Sequence, residues 1–182
     1  RQGATVVVAD INHEGAERVA ASIEHNGEQA LAVEVDVADA SSVREAMKFV
    51  TGSFSGLDVL VNCAGVNRFS RPEEYSYDYW KELLTVNLEG TWNCCHAAMP
   101  LMMKQRRGKI VNIGSGCGIL AIPNAAPYAT AKAGVNGLTR ALAVDLGPYN
   151  VNVNCICPAT IVTPLVERVC SQAYIEERAK EI

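Results

Sequence analysis

Short apolar segments alternate along the chain with longer segments whose apolar residues recur every three to four positions. The short segments predict strands at residues 5–9, 30–35, 57–63, 109–113 and 151–157. The longer ones predict helices at residues 14–25, 41–54, 78–105 and 128–146, with further helix from Pro164 onward. Apolar strands separated by helices are typical of a parallel sheet covered on both faces. We therefore predict an α/β fold with a doubly wound, Rossmann-like sheet.

Length, charge and hydropathy narrow the class of protein. A chain of 182 residues with 49% hydrophobic content provides one substantial core, so we predict a single domain over residues 1–182. The net charge of −4, with Lys and Arg clustered only at residues 104–109, disfavours nucleic acid as a partner. No apolar segment is long enough to cross a membrane and no signal-peptide pattern is visible, so we expect a cytoplasmic protein.

The cysteines and histidines do not predict a metal site or a disulfide framework. The seven cysteines are an odd number and include no C-x-x-C motif. Cys94, Cys95, Cys155 and Cys157 lie in apolar stretches, where a free cysteine behaves as a small hydrophobic residue. The three histidines are dispersed: His13, His25 and His96.

In a doubly wound sheet, ligands bind at the carboxyl ends of the strands, and two acidic residues lie at such ends. Asp10, followed by Ile11, ends the first predicted strand, where a carboxylate can accept hydrogen bonds from the ribose of an adenosine and repel a 2′-phosphate. Its alternative role is a helix cap, for which Asn12 is better placed. Asp36 ends the next strand and either accepts from an adenine amino group or caps the turn before Ser41.

Asparagines mark two further positions near the predicted strand ends. Residues 62–65 (Asn-Cys-Ala-Gly) end a buried strand with small side chains, which lets the backbone approach a flat ligand closely. Asn87 lies on the apolar stripe of the helix at 78–105, where a buried amide needs partners. It either satisfies a backbone carbonyl or holds a water, and the sequence leaves both roles open.

Ser115 lies in the glycine-rich segment 114–118 (Gly-Ser-Gly-Cys-Gly), which follows the strand at 109–113. This segment is not a good phosphate-binding loop, because the sequence predicts no helix directly after it. The glycines are expected to free the strand end so that the Ser115 hydroxyl can point at a substrate oxygen. Its alternative role is that of a turn residue.

Tyr128 and Lys132 are four residues apart on a predicted helix and therefore share one face. A tyrosine has a pKa near 10, and lowering it to about 7 takes roughly 4 kcal/mol. One positive charge at about 4 Å supplies roughly that amount at an effective dielectric constant near 20. The pair therefore predicts a proton-transfer group, with a buried structural tyrosine as the alternative. The same spacing at Tyr77 and Lys81 lies at a polar helix start and predicts a solvated surface pair.

Taken in order, these motifs resemble the short-chain dehydrogenases/reductases. The resemblance covers nearly the whole chain. It is carried by residues 62–65, Asn87, Ser115, Tyr128-x-x-x-Lys132 and residues 158–163 (Pro-Ala-Thr-Ile-Val-Thr).

The resemblance implies catalytic roles for four residues. Tyr128 would be the general acid/base, and Ser115 would hydrogen-bond the substrate carbonyl or hydroxyl. Lys132 would lower the pKa of the tyrosine and hold the nicotinamide ribose. Asn87 would support a water that links Lys132 to solvent, which favours the catalytic role left open above.

The resemblance also implies how the cofactor, NAD, would lie on the chain. Asp36 and Val37 would flank the adenine, and residues 158–163 would cover the nicotinamide with the Ile161 backbone near its carboxamide. The expected cofactor-binding residues are Asp10, Ile11, Asp36, Val37, Asn62, Ala64, Gly65, Tyr128, Lys132, Pro158, Ala159, Ile161 and Thr163. Residues 163–182 are expected to form a helical segment over the substrate.

The chain departs from the family pattern in three respects. Cys63 replaces the second asparagine of the usual Asn-Asn-Ala-Gly, and Ala159 replaces the glycine of Pro-Gly; both substitutes are small. The family's first strand with its glycine-rich phosphate loop, and its last strand, have no counterpart in the sequence. We expect roughly 25 to 40 further residues before Arg1 and another strand after Ile182.

The sequence favours an NAD(H)-dependent oxidoreductase acting on a secondary alcohol or ketone, such as a polyol, sugar acid or 3-oxoacyl compound. One alternative is an NAD-using epimerase or dehydratase of the same fold. The other is a non-catalytic binding module that lacks the phosphate loop. We also expect a homotetramer built through the helices at 78–105 and 128–146, using Trp92, Met99 and Met102 on the first and Ala129, Ala133 and Gly137 on the second.

Overall fold

The computed structural model describes residues 3–178 and confirms the predicted parallel α/β architecture. The strands are β1 (Thr5–Asp10), β2 (Gln29–Glu34), β3 (Val59–Asn62), β4 (Gly108–Ile113) and β5 (Val151–Ile156). The helices are α1 (His13–His25), α2 (Ala40–Ser53), α3 (Tyr77–Leu84), α4 (Gly90–Gln105), α5 (Ala126–Leu146), α6 (Pro164–Val169) and α7 (Gln172–Arg178).

All strand pairs are parallel, and the described strands form two ladders. β1 pairs with β2, while β4 lies between β3 and β5. Within residues 3–178 no ladder joins β1 to β3. The loop after β2 nevertheless contacts the start of α4, because Asn93 Nδ2 donates to Val37 O at 2.9 Å. Gly90 lies so close to Val37 that a Cβ would be 2.7 Å from its Cγ2 atom.

The hydrophobic core lies between the β3–β4–β5 ladder and the helices α4 and α5. Its members include Cys95, Met102, Ile110, Leu142, Leu146, Val151 and Val153. β5 differs from the uninterrupted apolar strand that was predicted, because buried Val151 and Val153 alternate with exposed Asn152 and Asn154. Within residues 3–178, the side chains of Asn152 and Asn154 on the other face of β5 are therefore uncovered.

The helix predicted at 78–105 is interrupted. α3 ends at Leu84, a π turn (Thr85–Glu89) follows, and α4 begins at Gly90. The side chain of Asn87 explains the break, because its Nδ2 atom donates to Leu83 O at 2.9 Å and competes with the helical backbone for that carbonyl. Single π turns inside helices recur at functional sites.

Met102 corrects one part of the predicted assembly surface. Its side chain is fully buried and packs under Gly108, where a Cβ would lie 2.6 Å from the Met102 sulfur. It therefore cannot contact a second subunit. Trp92 on the same helix is 42% exposed and lies against His96, with ring centroids 5.3 Å apart.

None of the helices in the described part of the chain combines the length and the apolar character needed to span a bilayer.

Candidate active site

One cleft lies at the carboxyl ends of β3, β4 and β5. Among its lining residues are the following positions predicted as functional: Gly65, Asn87, Ser115, Tyr128, Lys132, Pro158, Ala159, Ile161 and Thr163. The four predicted catalytic side chains therefore line the same cleft, although they are up to 45 positions apart in sequence, from Asn87 to Lys132. Cys63, Leu165 and Val166 complete parts of its wall.

Ser115 lies at the end of β4 and is held by a short turn that the sequence did not predict. A single 3₁₀ turn (Gly116–Gly118) follows directly, and Ser115 Oγ accepts from Cys117 N at 3.1 Å. The lack of a side chain at Gly118 allows this turn to pack against the backbone of α5. A Cβ added at Gly118 would lie only 2.7 Å from Lys132 C. The glycine thus brings the serine close to the helix that carries Tyr128 and Lys132.

Tyr128 has an environment that corrects the predicted direction of its pKa shift. Burial raises the pKa of the phenol above its ordinary value, and a hydrogen-bonding interaction with the Ser115 side chain partly offsets this. The expected lowering by Lys132 is not present in the described chain. Lys132 Nζ lies 5.8 Å from the centroid of the tyrosine ring and donates instead to Ile113 O at 2.8 Å.

Lys132 is 5% exposed, and burial lowers the pKa of its amine. Its Nζ atom is held between the end of β4 and Gly65, because a Cβ added at Gly65 would lie 3.6 Å from this Nζ atom. A lysine ammonium has three hydrogens. Among the described residues only Ile113 O accepts one of them, so two N–H groups are available to a ligand in the cleft.

Asn87 fills the backbone role that the sequence left open. Its Nδ2 atom donates to Val66 O and Leu83 O, both at 2.9 Å, and its Oδ1 atom accepts from Val66 N at 3.2 Å. The amide thereby fixes the loop after β3 against the π turn. Gly65 lies at this contact, since a Cβ there would be 2.8 Å from Asn87 Oδ1. A catalytic role through a water stays a prediction.

Behind the cleft lies a buried polar network that sequence reasoning missed. Asn62 Nδ2 donates to Asn112 Oδ1 at 2.8 Å, and Asn112 Nδ2 donates to Thr139 Oγ1 at 2.9 Å. Asn62, Asn112 and Cys155 are register partners across β3, β4 and β5. Asn112, a polar residue inside the apolar run at 110–113, was the sequence feature that could have predicted this network. Because the Asn62 side chain points into this network, its predicted cofactor contact would have to use the backbone.

The predicted adenosine-binding residues lie outside the cleft, at the ends of β1 and β2. Asp10 is exposed, and its Oδ1 atom accepts from Asn12 N at 2.9 Å. Asn12 caps α1 by accepting from Gly15 N at 3.1 Å, so the cap belongs to Asn12 rather than to Asp10. Exposed Ile11 follows Asp10, and exposed Ala64 precedes Gly65 at the end of β3.

Asp36 has a role in a turn. Its Oδ1 atom accepts from Ala38 N at 2.9 Å, while Asp39 caps α2 by accepting from Ser41 N at 2.7 Å. Val37 contacts Gly90, as described above. Asp36 therefore serves the turn before α2, and the cap expected near Ser41 is supplied by Asp39.

The segment after β5 forms the opposite wall of the cleft. Gly116 N donates to Pro158 O at 2.8 Å, which fixes Pro158 and Ala159 beside the turn that holds Ser115. Ile161 is 58% exposed, and Thr163 caps α6 by accepting from Val166 N at 3.4 Å. The start of this wall is thus attached to the turn after Ser115, and Ile161 lies between that attachment and the beginning of α6.

Comparison with known proteins decides the family. The sequence matches the family model of the short chain dehydrogenases over residues 1–173. The chain belongs to the short-chain dehydrogenase family. The predicted resemblance is thereby confirmed, and members of this family are NAD(P)-dependent oxidoreductases.

This short-chain dehydrogenase is similar to proteins with several substrates. It is 34% identical over 173 residues to 3-oxoacyl-(acyl-carrier-protein) reductase FabG of Thermotoga maritima, a match covering 95% of this chain and 70% of the relative. It is 37% identical over 164 residues to D-threitol dehydrogenase of Mycolicibacterium smegmatis, covering 90% of this chain and 63% of the relative. The chain thus spans about two thirds of the length of these relatives.

A solved structure supports the same fold. The gluconate 5-dehydrogenase from Burkholderia cenocepacia J2315, in complex with NADP and tartrate, superposes with a TM-score of 0.91 at 33% identity. The match covers 98% of this short-chain dehydrogenase and 70% of that chain. The Rossmann-like arrangement predicted from the sequence is therefore confirmed.

Proposed function

We propose that this short-chain dehydrogenase transfers a hydride between NAD(H) and a secondary alcohol or the matching ketone, with Tyr128 as general acid/base. The observation that carries the proposal is the single cleft in which Tyr128 interacts with Ser115 while the buried amine of Lys132 lies beneath the phenol ring. The cleft thus brings together Tyr128 as proton donor, Ser115 as hydrogen-bonding group for the substrate, and Lys132 as hydrogen-bond donor for a ribose.

The residues around the cleft fit a dinucleotide. Its floor is the backbone at Gly65, which is packed too closely against Asn87 for a larger side chain, so a flat ring can approach the main chain. The two remaining N–H groups of Lys132 are suited to the hydroxyls of a ribose. NAD(H), when bound, supplies the hydride acceptor or donor.

The chain's own groups handle the proton and the substrate oxygen. In ketone reduction the Tyr128 hydroxyl donates its proton to the carbonyl oxygen, and Ser115 holds that oxygen by a hydrogen bond. In alcohol oxidation the phenolate accepts the hydroxyl proton. Because burial raises the pKa of Tyr128, the phenol carries its proton at neutral pH and is ready for the reductive direction.

We propose NAD rather than NADP as the preferred cofactor, because of Asp10. Its exposed carboxylate at the end of β1 could accept hydrogen bonds from a ribose and would repel a 2′-phosphate. The substrate class is proposed from the relatives, whose names include a 3-oxoacyl reductase, a threitol dehydrogenase and a gluconate 5-dehydrogenase. A polyol, sugar acid or 3-oxoacyl compound therefore belongs in the first substrate panel.

Oligomerisation is part of the same proposal. We propose a homotetramer in which the exposed Trp92 of α4 and the α5 face containing Ala129, Ala133 and Gly137 contact other subunits. Light scattering at micromolar concentration should report a tetramer. A monomer at that concentration would contradict this assembly.

The test of the catalytic assignment is Tyr128→Phe, with Tyr77→Phe as the matched control. Tyr77 has the same four-residue spacing to a lysine but is 78% exposed on α3. Tyr128→Phe should abolish turnover and leave NADH affinity within about threefold, since the phenol transfers the proton whereas the ribose is proposed to be held mainly by Lys132. Tyr77→Phe should keep full activity. If Tyr128→Phe retains more than about a tenth of the rate, the assignment is wrong.

A further inference from the structure

Two loops are joined at the start of α5, the helix that carries Tyr128 and Lys132. One comprises residues 66–76 and follows β3, and the other comprises residues 119–125 and leads directly into α5. Ser70 N donates to Asn124 O at 3.2 Å, and Ala126 N donates to the hydroxyl oxygen of Tyr75, also at 3.2 Å. The second of these hydrogen bonds connects the loop after β3 to the first residue of α5.

The Tyr75 hydroxyl supplies a helix cap that the local sequence lacks. The backbone N–H groups in the first turn of a helix have no carbonyl partner within the helix. Ser, Thr, Asp or Asn usually accepts from such a group, but the N-cap of α5 is Ala125, whose side chain cannot. Pro127 has no N–H, so Ala126 and Tyr128 contribute the groups that need partners there. A phenol 51 positions earlier in the chain accepts from Ala126 instead.

The Tyr75 side chain is itself held in place by its neighbours. Its ring centroid lies 5.8 Å from that of Tyr79, which is 3% exposed and whose hydroxyl donates to Arg68 O. The guanidinium of Arg68 lies over the other ring, 4.3 Å from the Tyr79 centroid. Tyr75 N also donates to Pro72 O at 3.3 Å, at the end of a single 3₁₀ turn. The phenol oxygen that meets Ala126 is therefore part of a packed cluster.

We propose that Tyr75 is a positioning residue, whose hydroxyl fixes the first turn of α5 and thereby the place of the Tyr128 phenol beside Ser115. This inference rests on the proposed function. Tyr128 lies in the same turn, two residues after Ala126. Lys132 lies one turn further along and is held separately, by Ile113 O. A shift of the first turn should therefore move the proton-transfer group and leave the amine in place.

The residues beside Ala126 indicate that losing this bond would shift the turn without unfolding α5. Ala125 and Pro127 are both buried, so the helix start stays packed, and water can accept from the exposed N–H of Ala126. What is lost is the fixed direction of the turn. A displacement of about 1 Å can reduce a rate about 100-fold, so a smaller shift should slow the chemical step by about threefold to tenfold.

Tyr75 acts through the backbone and does not touch the substrate. Neither Tyr75 nor Ala126 is among the described residues that line the cleft, whereas Ser115, Tyr128 and Lys132 all line it. Altering a residue that contacts the substrate equally in its ground and transition states changes the concentration needed for half-maximal rate. Altering a residue that orients the proton donor changes the maximal rate. The two roles therefore predict different kinetics for the same variant.

The first experiment compares Tyr75→Phe, which removes only the hydroxyl, with Tyr77→Phe, an exposed tyrosine two residues away. Single-turnover rates are read by NADH absorbance, with whichever of threitol, gluconate and a 3-oxoacyl thioester the unaltered protein turns over. Tyr75→Phe should lower the saturating rate about threefold to tenfold, with half-saturating substrate and NADH affinity within about twofold. Its melting temperature should stay within about 4 °C. Tyr77→Phe should change none of these values.

The second experiment measures the hydrogen bond without any substrate. Amide hydrogen exchange, resolved to single residues, is recorded for the unaltered protein and for both variants. The Ala126 amide should exchange at least about threefold faster in Tyr75→Phe and at an unchanged rate in Tyr77→Phe. The Ala129 amide is an internal control, because its N–H donates to Ala125 O at 2.7 Å and does not depend on Tyr75.

Three results would overturn the positioning role. They are an Ala126 exchange rate that Tyr75→Phe leaves unchanged, a saturating rate within about 1.5-fold of the unaltered protein, and a loss confined to substrate affinity. Failure of the proposed function has a different signature. If Ala126 exchanges faster in Tyr75→Phe but the unaltered protein turns over no alcohol or ketone, the hydrogen bond stands, while the oxidoreductase assignment and the role of Tyr75 within it are wrong.

Discussion

Replacing Gly118 by alanine tests how Ser115, the proposed substrate-binding serine, is held beside α5. A Cβ at this position would lie 2.7 Å from Lys132 C and 2.9 Å from both Ala133 N and Lys132 O. Ordinary contacts between nonbonded heavy atoms are about 3.5 to 4.0 Å, so the turn or the helix must shift by roughly 1 Å. These neighbours are backbone atoms of a long helix, which do not rotate away as a side chain would.

The expected cost is that of overpacking, about 1 to 3 kcal/mol in the free energy of unfolding. For a domain of this size each kcal/mol lowers the melting temperature by about 2 to 4 °C, so a thermal melt should show a decrease of roughly 2 to 12 °C. Turnover should fall as well, because Ser115 caps the turn that has to move. Calorimetry and steady-state kinetics on the same preparation measure the two effects.

The matched control is Gly52→Ala. Gly52 lies within α2, and a Cβ there would meet no other part of the described chain within 4 Å. Alanine at this position should therefore be neutral or stabilise by up to about 1 kcal/mol. A Gly118→Ala protein that melts within about 1 °C of the unaltered protein and keeps its full rate would refute the close packing of the turn on α5.

Three further predictions concern the network, the proton and the cofactor. Asn112→Ala should lower the free energy of unfolding by about 2 to 4 kcal/mol, because it leaves Asn62 and Thr139 without their shared hydrogen-bond partner. A urea melt measures this change, and a decrease below about 1 kcal/mol would contradict the prediction. The rate of alcohol oxidation should rise with pH as Tyr128 loses its proton. Ser115→Ala should move the midpoint of this pH–rate profile to higher pH, because the serine lowers the pKa of the phenol. A midpoint that does not move would count against the interaction between Ser115 and Tyr128. NAD should be preferred over NADP by on the order of 100-fold in kcat/KM, with Asp10→Ser reducing the ratio; equal values in the unaltered protein would end this assignment.

Most of the fold could be predicted from the sequence, because strands in a parallel sheet are mostly apolar and their ends fall near polar residues. β5 is the exception, since exposed Asn152 and Asn154 alternate with buried Val151 and Val153. The carboxyl ends of β3, β4 and β5 therefore located the cleft, and the spacing of Tyr128 and Lys132 located two of its side chains. Burial of Met102 was missed, since Met102 contacts Gly108 at the start of β4 and this contact is invisible in a helical pattern.

The features that the sequence did not predict depend on contacts between distant parts of the chain. The π turn arises because Asn87 bonds both to Leu83 O and to Val66, and helical periodicity contains no information about the second partner. The pKa of Tyr128 depends on burial by surrounding elements, which reverses the direction that the Lys132 spacing alone suggests. The spacing showed which groups are near each other but did not show how much water surrounds them.

The paired amides of Asn62 and Asn112 have a consequence for how the strands find their alignment. A parallel strand that slips by one residue turns every side chain to the opposite face. Such a slip of β4 would separate Asn112 from both Asn62 and Thr139 and place apolar Val111 or Ile113 beside two buried polar groups. The misaligned chain would lose these hydrogen bonds at buried positions, where water cannot replace them. The amides therefore favour the correct strand register over registers shifted by one residue.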